Sequence, residues 1–299
     1  NNYKIAFWTP NNAPKAENLF GCASHGFSTY SDWVEPNQNK YSVWEHQLKG
    51  ICISGDYCKA LSALKASDFT PSTVIAFFNK PAGIEEFLTE ANEIFPSASF
   101  AGGGAALGIN QEEGELIPES KDVVLLLLSD KSLKIDFLNI HDITNKAVII
   151  EKASDRLIKS IKYKDDNEFH PPIDFFYRMK NEYQKSEYDF ESITFCDSEG
   201  RNIHLSIYND MLKSGANLPQ DNSLYLRVTD EEKSFNRIKE FLCSENSLIL
   251  GCAGLKSLLK KPVYTGKGSL SAFLFGELYT SHNKPQFGNL MLVKIIFGR

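Results

Sequence analysis

Residues Ala272–Phe297, AFLFGELYTSHNKPQFGNLMLVKIIF, carry the clearest architectural signal in the chain. An apolar strand, Leu270–Phe275, runs into Gly276-Glu277; a polar segment leads to Gly288-Asn289, and a second apolar strand, Leu290–Phe297, follows. Strand-forming runs bounded by Gly, Asn and Pro predict an antiparallel hairpin with a long connection. The apolar residues of Leu290–Phe297 fall on both alternation phases, the pattern of a strand buried on both faces inside a sheet. A carboxylate at the end of a buried strand is costly unless something pairs with it. Glu277, and with it Tyr279 and Asn289, therefore stand out as placed residues.

Outward from this segment, strands and helices alternate without a fixed short repeat. Tyr3–Trp8, Ile51–Ser54, Thr73–Phe78 and Ser99–Gly102 read as strands, with Asn11–Glu17 a polar loop. Tyr57–Lys65 and Ile84–Phe95 read as helices, the second with Ile84, Phe87, Leu88, Ala91 and Phe95 on one face. The acidic run Gln111–Glu119 reads as a solvated loop. Val123–Leu128 and Leu133–Leu138, separated by Ser-Asp-Lys-Ser, read as a hairpin. In Asn145–Ile161 the spacing of Val148, Ala153, Leu157 and Ile161 predicts a crossover helix. Pro171-Pro172 stops helix continuation, and Ile173–Tyr183 reads as a further helix. Lys185–Glu191 reads as a solvated connector, followed by strands at Ile193–Cys196, Ile203–Ile207 and Leu224–Val228. Asp230 caps a helix through Phe241, and Leu248–Cys252 is a strand. The pattern predicts an α/β protein of two related, layered α/β halves with mixed, largely antiparallel sheets. The halves are expected at residues 1–140 and 193–299, with the crossover helix and connector at residues 141–192.

Four segments, in this order, resemble the FIST (F-box and intracellular signal transduction) family. Leu19–Ser24, LFGCAS, is similar to its N-terminal Gly-Cys turn, and Phe100–Gly108, FAGGGAALG, to its Gly-Gly-Ala turn. Ser247–Gly254, SLILGCAG, resembles its Cys-bearing strand, and the Phe-Gly-Glu strand end with the later Asn resembles its C-terminal signature. The first expected half would thus be FIST N-like and the second FIST C-like. The chain departs from the pattern at His25, where a small residue is usual, and at Leu255, where Arg is frequent. The resemblance implies a non-catalytic, small-ligand-binding sensory protein of signal transduction, with an amino-acid-like ligand and a signalling protein as partner. The F-box relatives imply an alternative, a protein-interaction scaffold. Haem association among some relatives would make His25 or His282 a candidate axial ligand.

Composition bounds these readings. The 299 residues, 42% hydrophobic, suffice for a substantial core. The net charge of −6 argues against a nucleic-acid groove. The longest apolar run, Val123–Leu128, is far shorter than the ~18–20 residues of a membrane span. Neither that run nor the Asn1–Pro10 segment suggests membrane insertion or secretion, so a cytoplasmic location is expected. Six dispersed cysteines in apolar contexts are expected to be reduced and mainly buried. No zinc spacing or cofactor motif is present. The glycine run lacks the phosphate-loop lysine, and Leu107 occupies the third glycine position of the dinucleotide pattern. An enzymatic alternative, a hydrolase using Cys22 or Cys252, would need a base and an orienting group that the sequence does not display beside either thiol. Trp33 and Trp44 lie in a polar segment and are expected to be exposed; Lys256–Lys261 is a basic patch on an expected helix.

Turns after strands collect at sheet ends, where α/β folds place ligands. The expected site therefore joins Gly21, Cys22 and Ser24, the run Gly102, Gly103 and Gly104, and Glu277, Tyr279 and Asn289. Glycine amides would donate to a ligand carboxylate and Glu277 would pair with an ammonium. The competing reading makes the glycines a structural turn and has Glu277 accept from nearby backbone amides.

Overall fold

The segment from residue 270 onward supplies three pieces of sheet, not the two of a single hairpin. Leu270–Leu274 and Met291–Ile296 flank Ser247–Cys252, parallel and antiparallel to it respectively, and so never pair with each other. The polar stretch between them is itself a hairpin, Glu277–Ser281 with Lys284–Gly288. His282 and Asn283 both take positive φ, 51° and 60°, as a two-residue type I′ turn requires. Pro285 is tolerated because Lys284–Gly288 is the edge strand of its sheet. Met291–Ile296 does lie inside a sheet, between Lys134–Asn139 and Ser247–Cys252. Met291, Leu292, Val293 and Ile295 are all buried, as expected for a strand covered on both faces.

The structure is a computed structural model and describes residues 1–10, 14, 18–44, 46–79, 81–105, 109–110, 122–183, 194–228, 230–259 and 261–297. The acidic run at 111–119, the connector at 185–191 and all of the loop at 11–17 except Pro14 lie outside the described residues. The chain divides into two units, each discontinuous in sequence. The first is Asn1–Leu138, Ile238–Phe287 and Met291–Arg299; the second is Asn139–Arg237 with Gly288–Leu290.

The first unit is α/β with two mixed sheets. Its ten-stranded sheet runs, from one edge, Lys284–Gly288, Glu277–Ser281, Ser99–Gly104, Thr73–Phe78, Val123–Leu128, Leu48–Gly55, Asn2–Trp8, Leu19–Ala23 and Ile109–Asn110, with Tyr41–Val43 also paired to Asn2–Trp8. Its six-stranded sheet runs Lys134–Asn139, Met291–Ile296, Ser247–Cys252, Leu270–Leu274, Phe27–Ser28 and Trp33–Val34. Inward residues of both sheets, among them Phe7, Phe20, Phe77, Leu126, Leu250, Leu274 and Val293, form one apolar cluster. The helices Tyr57–Lys65 and Ile84–Ile94 bury Ala60, Leu61, Leu64, Ile84, Phe87, Leu88 and Ala91. Asp56 caps the first helix by accepting from the Lys59 amide at 2.8 Å. The second helix is the crossover between the parallel strands Thr73–Phe78 and Ser99–Gly104.

Val123–Leu128 does not form the expected hairpin with the strand after it. Leu48–Gly55 and Thr73–Phe78 occupy both its edges, and Lys134–Asn139 joins the other sheet. A six-residue run with every side chain buried is a central strand, and a central strand has no edge left for a hairpin partner.

The second unit is a closed six-stranded antiparallel barrel, not a second layered α/β half. Its order is Asp142–Ser154, Leu157–Tyr163, Met211–Ser214, Asn202–Tyr208, Thr194–Cys196 and Ser223–Val228, the last pairing back to the first. The expected crossover helix over Asn145–Ile161 is therefore corrected to two long strands joined at Asp155-Arg156. Val148, Ile149, Ile150, Ile158 and Ile161 are β-branched, and their stiffness at χ1 favours the pleated surface over the helix. The helix Pro172–Tyr183 packs Phe175, Phe176 and Met179 into the barrel's apolar cluster. Asp230 accepts from the Lys233 amide at 2.9 Å and caps the helix Glu231–Leu242 as the sequence predicted.

All six cysteines are free thiols. Cys22, Cys196 and Cys252 are buried and Cys52 is half-buried, whereas Cys58, on an outer helix face, and Cys243, just past a helix end, are exposed. Trp44, expected on the surface, is buried and donates its indole N–H to the Gly268 carbonyl at 2.9 Å. Among the described residues no helix is long and apolar enough to cross a membrane.

Candidate functional site

The glycine run is strand, not turn. Gly102, Gly103 and Gly104 are the last residues of Ser99–Gly104, and Gly103 stands directly opposite Glu277. The run is glycine because the neighbouring backbone comes too close for a side chain. A Cβ at Gly102, where φ is 153°, would sit 1.8 Å from the Ala76 carbonyl oxygen. The amides at the end of the run are spent on protein: Gly104 N–H donates to Gly276 (3.2 Å) and Ala105 N–H to Phe78 (2.8 Å). They are not left over for a ligand carboxylate.

Glu277 is fully buried. Its Oε2 accepts from the Met291 amide at 3.2 Å, the Cys252 thiol donates to the same carboxyl group, and Oε1 has no hydrogen-bond partner among the described residues. Burial pushes this carboxyl well above the ordinary glutamate range, and the two donated bonds oppose the shift without reversing it. A group held toward its neutral form is a poor counter-ion for an ammonium. Tyr279 is buried with its ring 4.8 Å from that of Phe137.

Gly21 and Cys22 lie on the parallel strand beside Asn2–Trp8, with Ser24 just beyond it. Four strands of the sheet order separate them from Ser99–Gly104. The Cys22 thiol is enclosed and pushed well up by burial, the reverse of what a nucleophile needs. Ser24 N–H and Oγ both donate to the Trp8 carbonyl, at 2.8 and 3.4 Å. Asn289 belongs to the second unit, beside Gly215, and its Nδ2 has no partner there among the described residues. Of the expected constellation, the structure thus brings together the glycine run and Glu277. His282 stands exposed at the hairpin turn, its ring beside the Ser281 hydroxyl at 3.1 Å.

A different group of side chains lines an open cleft of about 580 Å³ in the first unit. It contains His25, Trp33, Glu35 and Lys256, with Leu259 and Lys261 further along its wall. Three local features assemble it. The strand Ser247–Cys252 ends in a 3-10 helix, Ala253–Leu258, which carries Lys256 inward. The short strand Trp33–Val34 pairs with Phe27–Ser28 at the sheet edge and presents Trp33 and Glu35. Gly26, at φ 100°, makes the room: a Cβ there would sit 2.6 Å from the Lys256 Nζ and 2.5 Å from the Val34 carbonyl oxygen.

The Lys256 side chain is only 11% exposed. It forms an ion pair with Glu35 Oε2, donates to the His25 carbonyl at 3.4 Å, and lies 5.3 Å over the Trp33 ring and 5.9 Å over Phe273. Glu35 Oε1 accepts from the Trp33 indole N–H at 2.6 Å. Partial burial works to raise the Glu35 carboxyl, but the bonds from Lys256 and Trp33 outweigh it and hold the group below the usual carboxylate range. The His25 imidazole, 5.6 Å from the Phe275 ring, is lowered by burial and then by the Lys256 charge, against the pull of Glu35. At neutral pH the cleft therefore presents a cation, an anion, a neutral imidazole and an indole face. It offers binding groups of both signs on an aromatic wall, with no activated nucleophile among them.

The sequence singled out Trp33, His25 and the Lys256–Lys261 patch separately; Glu35 it missed. The signal that could have linked them is a lysine set among leucines in Leu255–Leu259, which needs an acid partner. No protein-family model matches the chain, and no curated protein matches it.

Proposed function

We propose that the protein is a non-catalytic, small-ligand-binding sensory protein of signal transduction, and that its ligand is amino-acid-like and occupies the cleft at Lys256. One observation carries the reading: the Lys256 ammonium and the Glu35 carboxylate stand side by side, against Trp33, in a cleft open to solvent. A zwitterion complements that pair. Its carboxylate takes a place at Lys256, its ammonium is received by Glu35, and its side chain lies along Trp33 and Leu259. The His25 ring, neutral at pH 7, adds one donor and one acceptor to fix orientation. The resemblance of four segments to the FIST family supports the sensory role, and a signalling partner would carry the output.

The test is native mass spectrometry of the purified protein, followed by calorimetric titration with a panel of free amino acids. Lys256→Met keeps the side-chain stem and removes the charge. Saturable binding of at least one amino acid, weakened about tenfold or more in Lys256→Met, is the expected result. Binding by none of the panel, or equal binding by the variant, refutes the assignment.

A second reading, a protein-interaction scaffold, rests on exposed aromatics in the same unit. Tyr30 is 68% exposed, and Tyr264, 46% exposed, is tied close to it in the chain path by the Thr265 N–H to Thr29 carbonyl bond of 3.1 Å. That pair suits the surface of a protein partner better than a small ligand.

A further inference from the structure

The wall of the cleft in the first unit carries one more charge than the Lys256–Glu35 pair accounts for. Among the described residues that line it, the charged groups are the ammoniums of Lys256 and Lys261 and the carboxylate of Glu35, with the His25 ring neutral at pH 7. The rest of the lining is apolar or, at Gln38, uncharged. The cleft therefore holds two cations to one anion.

Glu35 cannot answer both cations. Its Oε2 is taken by Lys256 and its Oε1 by the Trp33 indole N–H at 2.6 Å. Its backbone is held as well, because the Glu35 N–H donates to Gln38 Oε1 at 3.0 Å. Lys261 makes no ion pair among the described residues. Its side chain is exposed, so its ammonium stays hydrated and costs the fold little while unmatched.

The position of Lys261 is nevertheless fixed by the chain on either side. Leu259 is buried, and its N–H donates to the Lys256 carbonyl at 3.0 Å. Val263 is buried, and its carbonyl accepts from Ser28 Oγ at 2.8 Å. Pro262 restricts Lys261 between these anchors to extended backbone. The second ammonium is thus rooted on the same wall as the first, with Leu259 between them in the chain.

We propose that the ligand of this cleft is a dicarboxylic amino acid and that Lys261 selects it, an inference that rests on reading the cleft as an amino-acid site. A zwitterion without a side-chain charge answers Lys256 and Glu35 and leaves Lys261 unmet. A second carboxylate completes the match: the α-carboxylate lies at Lys256, the ammonium at Glu35, and the side-chain carboxylate at Lys261, its methylenes along Leu259. A basic amino acid would add a further cation beside Lys261 and is disfavoured.

Calorimetric titration of the full chain at pH 7 with glutamate, glutamine, aspartate and asparagine tests this, because each acid and its amide share a shape and differ in charge. At least one acid is expected to bind about threefold to fivefold more tightly than its own amide, the range of a solvent-exposed ion pair. Lys261→Met should bring the two affinities together, and Lys261→Arg should keep them apart. Lys261 is exposed, so neither replacement disturbs the core. Amides that bind as tightly as the acids, a preference that survives in Lys261→Met, or an equal loss of acid and amide in that variant overturns the inference. Binding of other amino acids with none of these four removes the choice of ligand and leaves the amino-acid site standing; binding of no amino acid at all removes both.

Discussion

Glu277→Gln gives the sharpest test of how this core is held. The carboxyl is fully buried opposite Gly103, accepts from Met291 N–H at 3.2 Å and from the Cys252 thiol, and leaves Oε1 without a partner among the described residues. Burial raises its pKa well above the ordinary value of 4.5, so the folded protein holds this proton more tightly than the unfolded chain does. Below the ordinary value both states are protonated and stability is at its fullest. As the pH rises through it, the unfolded chain ionises and is hydrated while the folded acid stays neutral. Stability then falls by about 1.4 kcal/mol per pH unit until the raised folded value is reached. Glutamine has no such dependence. It keeps a carbonyl for Met291 but brings an NH2 group without a ready acceptor, a pH-independent cost of about 1–3 kcal/mol. Urea unfolding of both proteins at pH 5, 6, 7 and 8, followed on a probe in the first unit, measures the difference. Wild type should lose ground to Glu277→Gln as the pH rises, with that slope at the start of the window. A difference that stays constant from pH 5 to 8 would refute the claim that the buried acid is held neutral.

Three further outcomes are expected. Gly26→Ala forces a side chain into φ 100° and against the Val34 carbonyl oxygen at 2.5 Å; it should cost about 2–4 kcal/mol in urea unfolding and loosen the Lys256–Glu35 pair, and a neutral effect would show that the turn relaxes freely. His141, held by burial and by Arg227 down to about 3 from an ordinary 6.5, stays neutral while the unfolded chain takes up a proton, so stability falls as the pH drops through that window, by about 5 kcal/mol in all; His141→Gln should flatten this acid limb, and an unchanged limb would assign it to other groups. Alkylation under native conditions, read by peptide mass spectrometry, should label Cys58 and Cys243 first and leave Cys22, Cys196 and Cys252 protected until denaturant is added; early labelling of Cys22 would contradict its enclosure.

Local pattern carried much of the first unit. Tyr57–Lys65, Thr73–Phe78 and Val123–Leu128 have the bounds that periodicity predicts, and the helix cap at Asp230 was readable from one residue. Pairing was not readable, because it depends on which edges other strands have already taken. Two runs four residues apart look like a hairpin, but Val123–Leu128 has both edges filled by strands that precede it in the chain. The turn at His282-Asn283 was hidden for another reason. Neither residue is glycine, so the positive φ that makes a hairpin there leaves only the weak signal of Asn tolerating that region. In the barrel, apolar residues spaced four and five apart mimicked a helix because the strand pair turns at Asp155-Arg156 and carries register shifts at Glu151–Ser154.

The site was less legible than the fold, and the reason is electrostatic. A sequence shows which residues are charged but not which pairs are brought together out of water. An acid at the end of an apolar strand is costly, and the sequence offers two remedies for Glu277, a ligand ammonium or nearby backbone amides. The fold takes the second: Met291 N–H and the Cys252 thiol donate to an acid that burial holds toward its neutral form. Lys256 poses the same problem with the opposite outcome. Set among leucines with its side chain only 11% exposed, Lys256 finds no acid on its own helix and draws Glu35 from 221 residues away. That pairing is half open to solvent, with Glu35 46% exposed, whereas the one at Glu277 is sealed. A sealed group can only stabilise or destabilise the protein. A charged pair at the mouth of a cleft, such as Lys256 with Glu35, can exchange one partner for a ligand, and the enclosed carboxyl of Glu277 cannot.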